Sequence, residues 1–137
     1  MYKIWFIDDR EDNRQAWLNG FPEEIRQNCE LRVFAGWKDL KKALDENYIP
    51  DILFIDFFLG DIYGGEVVEW IKNNVENSSK IVLIAHSSME SANKHLVNMG
   101  VDCSLAKNKG IMVSDTIAQQ FKSLVDVEFL VKNKKLN

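Results

Sequence analysis

Five short apolar runs punctuate the chain: Tyr2–Ile7, Leu31–Phe34, Ile52–Ile55, Ile81–Ala85 and a weaker Val101–Ala106. They show little polar alternation, which suits strands buried on both faces of a parallel sheet. Helix-period stripes lie between them. Trp37, Leu40, Lys41 and Leu44 share one face, with the Lys41 stem able to lie along it. Val67, Val68, Ile71 and Val75 form a second stripe, and Met89, Ala92, Leu96 and Met99 a third that Gly100 closes. The last helix is expected to start at Ser114 and to carry Ile117, Phe121, Leu124 and Val125 inward. The first helix follows Asp9, and Pro22 opens a separate turn. The alternation reads as (βα)5 in one domain: an α/β, doubly wound, five-stranded parallel sheet with right-handed crossovers.

In open sheets of this kind, ligands bind beyond the carboxyl ends of the strands. Those ends therefore carry the argument. Strand one ends in Asp8-Asp9, strand three in Asp56, strand four in Ala85-His86-Ser87-Ser88 and strand five in Lys107. With strands one, three and five brought together, three carboxylates and an ammonium converge on one edge. Close carboxylates raise one another's pKa, and a hard divalent cation relieves that repulsion. Mg2+ takes oxygen ligands, often one or two carboxylates plus a phosphate oxygen. An aspartate beside it can attack phosphorus, and a lysine at the same edge can neutralise phosphoryl oxygens.

Composition narrows the classes. The chain has 137 residues, the size of one domain, and a formal net charge of −4, so a broad nucleic-acid surface is not the default. Cys29 and Cys103 form no closely spaced pair, which argues against zinc and fits a reducing cytoplasm. No apolar run approaches a membrane span or a signal peptide. No phosphate-binding glycine loop follows strand one, where Asp8-Asp9-Arg10-Glu11-Asp12 would repel phosphates. A strand-end phosphohydrolase with two acids one residue apart fits neither Asp8-Asp9 nor Asp56-Phe57-Phe58.

The segments IWFIDD, ILFID, IVLIA and SLAK, in this order, resemble a response-regulator receiver domain over residues 1 to about 130. Gly64 follows Asp56 by eight positions and Gly100 precedes Lys107 by seven, as in receivers. The resemblance implies a flavodoxin-like strand order 2-1-3-4-5, with residues 1–131 as the receiver and 132–137 as a short basic tail. It implies that Asp56 accepts a phosphoryl group from a histidine kinase or histidine phosphotransfer protein. Asp9, Asp56 and the backbone carbonyl of Phe58 would hold Mg2+ (or Mn2+), Asp8 would act through water, and Lys107 would pair with the phosphoryl oxygens. Output would pass to another protein, with no direct nucleic-acid or membrane contact and no turnover of an outside substrate. Homodimerisation is expected on the face of the fourth helix, fifth strand and fifth helix.

The sequence departs from the receiver pattern at the switch. Counting back from Lys107 without gaps puts Ala85 where a hydroxyl residue is usual, and Ser104 where an aromatic is usual. His86 and Ser87 are the nearby candidates for supporting the pocket, with Ser87 or Ser88 also suited to cap the fourth helix. Asn108 replaces the usual proline after the lysine and predicts a trans peptide bond. Of Phe57 and Phe58, one ring is placed either to shield the pocket or to pack under its loop. The alternative to a working receiver is a degenerate one, a binding module indifferent to phosphorylation.

Overall fold

A computed structural model describes residues 1–108 and 110–137. Five parallel strands form one sheet: β1 (Tyr2–Ile7), β2 (Cys29–Phe34), β3 (Ile52–Ile55), β4 (Val82–Ala85) and β5 (Cys103–Ser104). Their order is β2-β1-β3-β4-β5, the flavodoxin-like order. The register runs Ile7 beside Phe34 and Ile55, and Ile55 beside Ala85. Strand ends therefore line up along one edge, and Asp8 and Asp56 leave the sheet side by side.

Alternate residues of the central strands face opposite layers, because side chains on a strand repeat every two residues. Trp5, Ile7, Leu53, Ile55, Leu83 and Ala85 face one layer. It is built by α3 (Trp37–Asp45), α4 (Gly64–Asn74) and α5 (Glu90–Asn98), through Leu40, Val68, Ile71 and Leu96. Ile4, Phe6, Ile52, Phe54, Val82 and Ile84 face the other. There α1 (Glu11–Gly20), α2 (Glu23–Asn28), α6 (Val113–Gln120) and α7 (Leu124–Asn133) supply Trp17, Ile25, Ile117, Val127 and Leu130, and Phe21 joins them from the turn between α1 and α2. Each such buried side chain contributes about 1.5–3 kcal/mol relative to exposure. Trp5 and Trp17 are fully buried, whereas Trp37 and Trp70 meet edge to face at 5.2 Å at the rim of their layer.

The final helical segment differs from the sequence expectation. It begins at Val113 rather than after a Ser114 cap, and it is two helices, broken at Phe121–Ser123. The Ser123 side chain accepts from the Asp126 backbone, and the Asp126 carboxylate accepts from the Lys122 and Ser123 amides. This reciprocal cap starts a new helix in a new direction, so Phe121 stays buried while Val125, expected inside, is 66% exposed. Helix α7 runs to Asn133, two residues past the expected tail boundary. The tail is docked: Lys134 donates to the Ser79 carbonyl, and Leu136 packs against the second layer. Met89 precedes α5 and is exposed rather than part of its stripe. Strand β5 covers two residues of its expected run. Among the described residues, no helix is long and apolar enough to cross a membrane.

Candidate functional site

The strand ends deliver a compact acidic pocket. Asp8, Asp9 and Asp56 each offer a carboxylate oxygen within 4.8 Å of the others. Asp8 follows β1 with no exposure, its amide bonded to the Phe34 carbonyl at 3.1 Å. Asp56 follows β3 and is 7% exposed; its amide donates to the Ile7 carbonyl at 3.3 Å. Asp9 turns outward and is exposed. The sheet holds the first two carboxylates, and Asp9 stands at the solvent side of the pocket.

Lys107 provides the counter-charge. It is buried, with Nζ 2.5 Å from Asp8 Oδ2 and 3.0 Å from Asp56 Oδ2. Buried carboxylates persist only when paired and hydrogen-bonded. Asp8 meets that condition fully: the Arg10 amide donates to Oδ1 at 2.8 Å and Asn13 Nδ2 to Oδ2 at 3.2 Å. Arg14 adds a bond to the Asp8 carbonyl at 2.9 Å. Asp56 is less provided for. The Phe57 amide donates to its Oδ1 at 2.8 Å. Burial nevertheless pushes the Asp56 carboxyl above the usual carboxylate range, opposed by Lys107 and reinforced by the nearby Asp8 charge.

The loop after Asp56 shapes the mouth. Phe58 and Tyr63 bridge across it, and the Leu59 amide donates to the Ile62 carbonyl at 3.1 Å. Gly60 sits at the tip with φ 81°, where a side chain would be strained, and a Cβ there would lie 3.5 Å from Asp9 Oδ2. Asp9, Phe58, Gly60 and Tyr63 share a cavity of about 360 Å³. The Phe57 ring packs inward against the first layer and meets His95 edge to face at 5.6 Å, whereas Phe58 is half exposed. Just beyond, α4 begins so close that a Cβ on Gly64 would lie 2.4 Å from the Asp56 carbonyl oxygen. Only glycine lets the helix start there.

The far wall is set by sheet register. Ala85 pairs with Ile55 and Ser104, and it lies in the first layer. The residue level with Asp56 is His86, whose amide donates to the Ile55 carbonyl at 2.9 Å. His86 is fully buried, its ring 5.3 Å from Phe6 and 5.4 Å from Phe54. Burial lowers its pKa to about 3, so the ring is neutral near pH 7. Its Nδ1 is 2.6 Å from the Leu105 carbonyl oxygen, which can only accept, so Nδ1 carries the proton. Nε2 is buried and meets no hydrogen-bond partner among the described residues. Ser87 is buried too; its Oγ accepts from the Met89 amide at 3.2 Å in the turn before α5. Neither Ser87 nor Ser88 caps the helix as expected, because Met89 occupies the N-cap position and no side chain caps it. Ser104 is exposed and lines a cavity of about 640 Å³ between α5, β5 and α6. The Lys107–Asn108 bond is trans.

The structure thus gathers Asp8, Asp9, Asp56 and Lys107, with His86 and Ser87 on the adjoining wall. Asn13 and Asn93, absent from the sequence expectations, also belong to this region. Asn13 stands five residues after Asp8, where the first helical turn returns toward the strand end. That spacing was the available signal.

No family model matches the chain. Response regulator protein VraR of Staphylococcus saprophyticus is 24% identical over 135 residues, covering 95% of this chain and 62% of VraR. The chain thus spans about 62% of that relative's length. Solved structures agree in shape. The response regulator DrrB of Thermotoga maritima superposes with a TM-score of 0.70 at 17% identity, over 99% of this chain and 55% of that one. A two-component response regulator from Clostridium difficile gives 0.70 at 16% identity, over 97% of this chain and 98% of that one. The beryllofluoride-activated NtrC4 receiver domain dimer gives 0.70 at 15%, over 98% and 100%. The order of the strands and the extent of these superpositions lead to one conclusion: the chain has the fold of a response-regulator receiver domain.

Proposed function

We propose that the chain is a phosphoacceptor receiver that takes a phosphoryl group on Asp56 from a phosphohistidine of a histidine kinase or phosphotransfer protein. The observation that carries this reading is Lys107 seated between Asp8 and Asp56, in a cluster of carboxylates that Asp9 completes toward solvent. In the transfer, an Asp56 carboxylate oxygen forms the new O–P bond. The N–P bond of the donor breaks, and its electron pair returns to the imidazole. Lys107 stays beside the new phosphoryl oxygens and offsets their charge.

An all-oxygen donor set with one cation suits Mg2+ or Mn2+. Asp9, Asp56 and the Phe58 carbonyl would hold the ion, with Asp8 reaching it through water. Asp8 already accepts from Arg10, Asn13 and Lys107, which supports that indirect role. When bound, the ion supplies charge neutralisation for the incoming phosphoryl group. Output would go to another protein, in the cytoplasm, without turnover of an outside substrate or direct contact with nucleic acid or membrane. The α5–β5–α6 face is the proposed surface for that contact and for homodimerisation.

His86 supports a second reading. A neutral ring tied to Leu105 replaces the hydroxyl that receivers usually carry level with the phosphoacceptor, and Ser104 lacks a ring to couple to it. A degenerate receiver, binding its partner regardless of phosphorylation, would fit that wall. Incubation with acetyl phosphate and Mg2+, read by intact mass, separates the two. The first reading expects one added phosphoryl group on the wild-type chain and none on Asp56→Asn. No addition, or equal addition to both, overturns it.

A further inference from the structure

Ser87 occupies the junction between the acidic pocket and α5. It is 2% exposed, and its backbone is satisfied from two directions. The Asn93 side chain takes both of its polar groups: the Ser87 amide donates to Asn93 Oδ1 at 2.9 Å, and Asn93 Nδ2 donates to the Ser87 carbonyl at 2.9 Å. The same carbonyl accepts the Lys107 amide at 3.0 Å. Asn93 itself is 4% exposed and stands in the first turns of α5. Nothing about helix formation calls for it there, since asparagine is a poor interior helix residue and burial of its amide is costly unless both ends are paired.

The other attachments of α5 make no hydrogen bond to the pocket wall. Ala92 and Leu96 are buried apolar side chains, whose contacts are non-directional and tolerate sliding, and His95 meets Phe57 ring to ring. The residue before Ser87 is anchored elsewhere, with the His86 amide on β3 and its ring on the Leu105 carbonyl. Ser87 is thus the point where the pocket wall changes its allegiance from the sheet to α5. Lys107 reaches that point through its backbone while its ammonium lies 3.0 Å from Asp56 Oδ2.

We infer that Asn93 is a positioning residue that ties Lys107 to α5, so that occupancy of Asp56 is felt by that helix through Ser87. The inference rests on the reading of Asp56 as the phosphoacceptor and adds the route by which its state leaves the pocket. An anion on Asp56 changes the charge that Lys107 answers. A shift of Lys107 displaces the Ser87 carbonyl, and the paired amide of Asn93 carries the displacement into α5. By linkage the coupling is reciprocal: a partner that fixes α5 alters the affinity of Asp56 for its anion.

The test uses the full chain with Mg2+ and beryllofluoride. Fluorine NMR reports occupancy, and amide hydrogen exchange reports α5. The readout is the loaded-minus-free difference in α5 taken against the same difference in β1, which separates a local response of α5 from general stabilisation by the ligand. In the wild-type chain, loading should change exchange rates across residues 90–98 by about fivefold or more. Asn93→Ala should still load beryllofluoride yet abolish that difference. Asn93→Asp keeps the acceptor for the Ser87 amide but loses the donor to its carbonyl, and should reduce the difference. It carries the test if the alanine variant does not fold. An undiminished difference in the folded variants overturns the inference, as does a loaded wild-type chain with no response in α5. Absence of any bound fluoride signal in the wild type would instead remove the phosphoacceptor reading, and the inference with it.

Discussion

The acids and the lysine of the pocket are mounted in contrasting ways. Asp8 and Asp56 directly follow β1 and β3, whose last four residues in each case are fully buried at the centre of the sheet. Lys107 lies three residues past β5, a two-residue edge strand that is only partly covered. Its place is set instead by bonds from β4 and the loop after it: the Leu105 amide to the Ala85 carbonyl at 2.9 Å, His86 to the Leu105 carbonyl, and the Lys107 amide to Ser87. One half of the pocket is therefore fixed by a packed core, and the other by a few directional bonds. Under the proposed phosphoacceptor role, a fixed carboxylate beside an adjustable counter-charge would suit a site whose charge changes on phosphorylation.

The contrast can be broken most forcefully from the acid side. Trp5→Ala empties a fully buried ring site between β2 and β3 and should cost about 3–5 kcal/mol in urea unfolding. Leu105→Ala, on the lysine side, should cost clearly less, because Leu105 is only partly buried. Equal losses would erase the distinction. A smaller effect is expected from His86→Leu, which leaves the Leu105 carbonyl without its donor and should cost about 1–3 kcal/mol. Faster hydrogen exchange should follow in residues 103–107, with β1 unchanged. Exchange that rises equally in β1 would place His86 in the general core.

The smallest effect concerns Asp56 itself. Its carboxyl is raised mainly by burial, with Lys107 opposing and Asp8 adding. The folded chain thus holds that proton to higher pH than the unfolded chain, whose aspartates titrate near about 3.9. Stability from this group is present below the unfolded value and falls as pH rises through the folded one. Asp56→Asn should therefore gain on the wild type as pH rises from 3.5 to 7. Urea midpoints at the two pH values, without divalent cation, measure the gap. An Asp56→Asn variant that loses ground to the wild type as pH rises would contradict the strain assigned to Asp56.

Much of this architecture was legible because burial on both faces leaves a plain signature. The runs at Ile4–Ile7, Ile52–Ile55 and Val82–Ala85 have no polar residue, and an acid directly follows each of the first two. The far wall was not legible in the same way. Counting back from Lys107 fixes a position only if the intervening loops keep their length, whereas the register with β3 sets Ala85 level with Ile55 and His86 level with Asp56. The break at Phe121–Ser123 was hidden because Leu124 and Val125 continue the helical spacing while the chain changes direction. Asn93 gave no sign at all. Its partners are backbone groups of Ser87, which a pattern of side chains does not register.

The edges of the sheet have a consequence for how molecules of this protein meet one another. An open strand edge offers unpaired amides and carbonyls to any extended chain, the first step of sheet-to-sheet aggregation. Here β5 presents two residues, too few to template a stable pairing. At the other edge β2 carries Glu30, which accepts from the Trp5 indole, and Arg32, which lies over Trp5 and Phe34. An incoming strand would have to accommodate both charges beside its own side chains. The sheet can thus expose both edges at high concentration and still resist growing by an added strand.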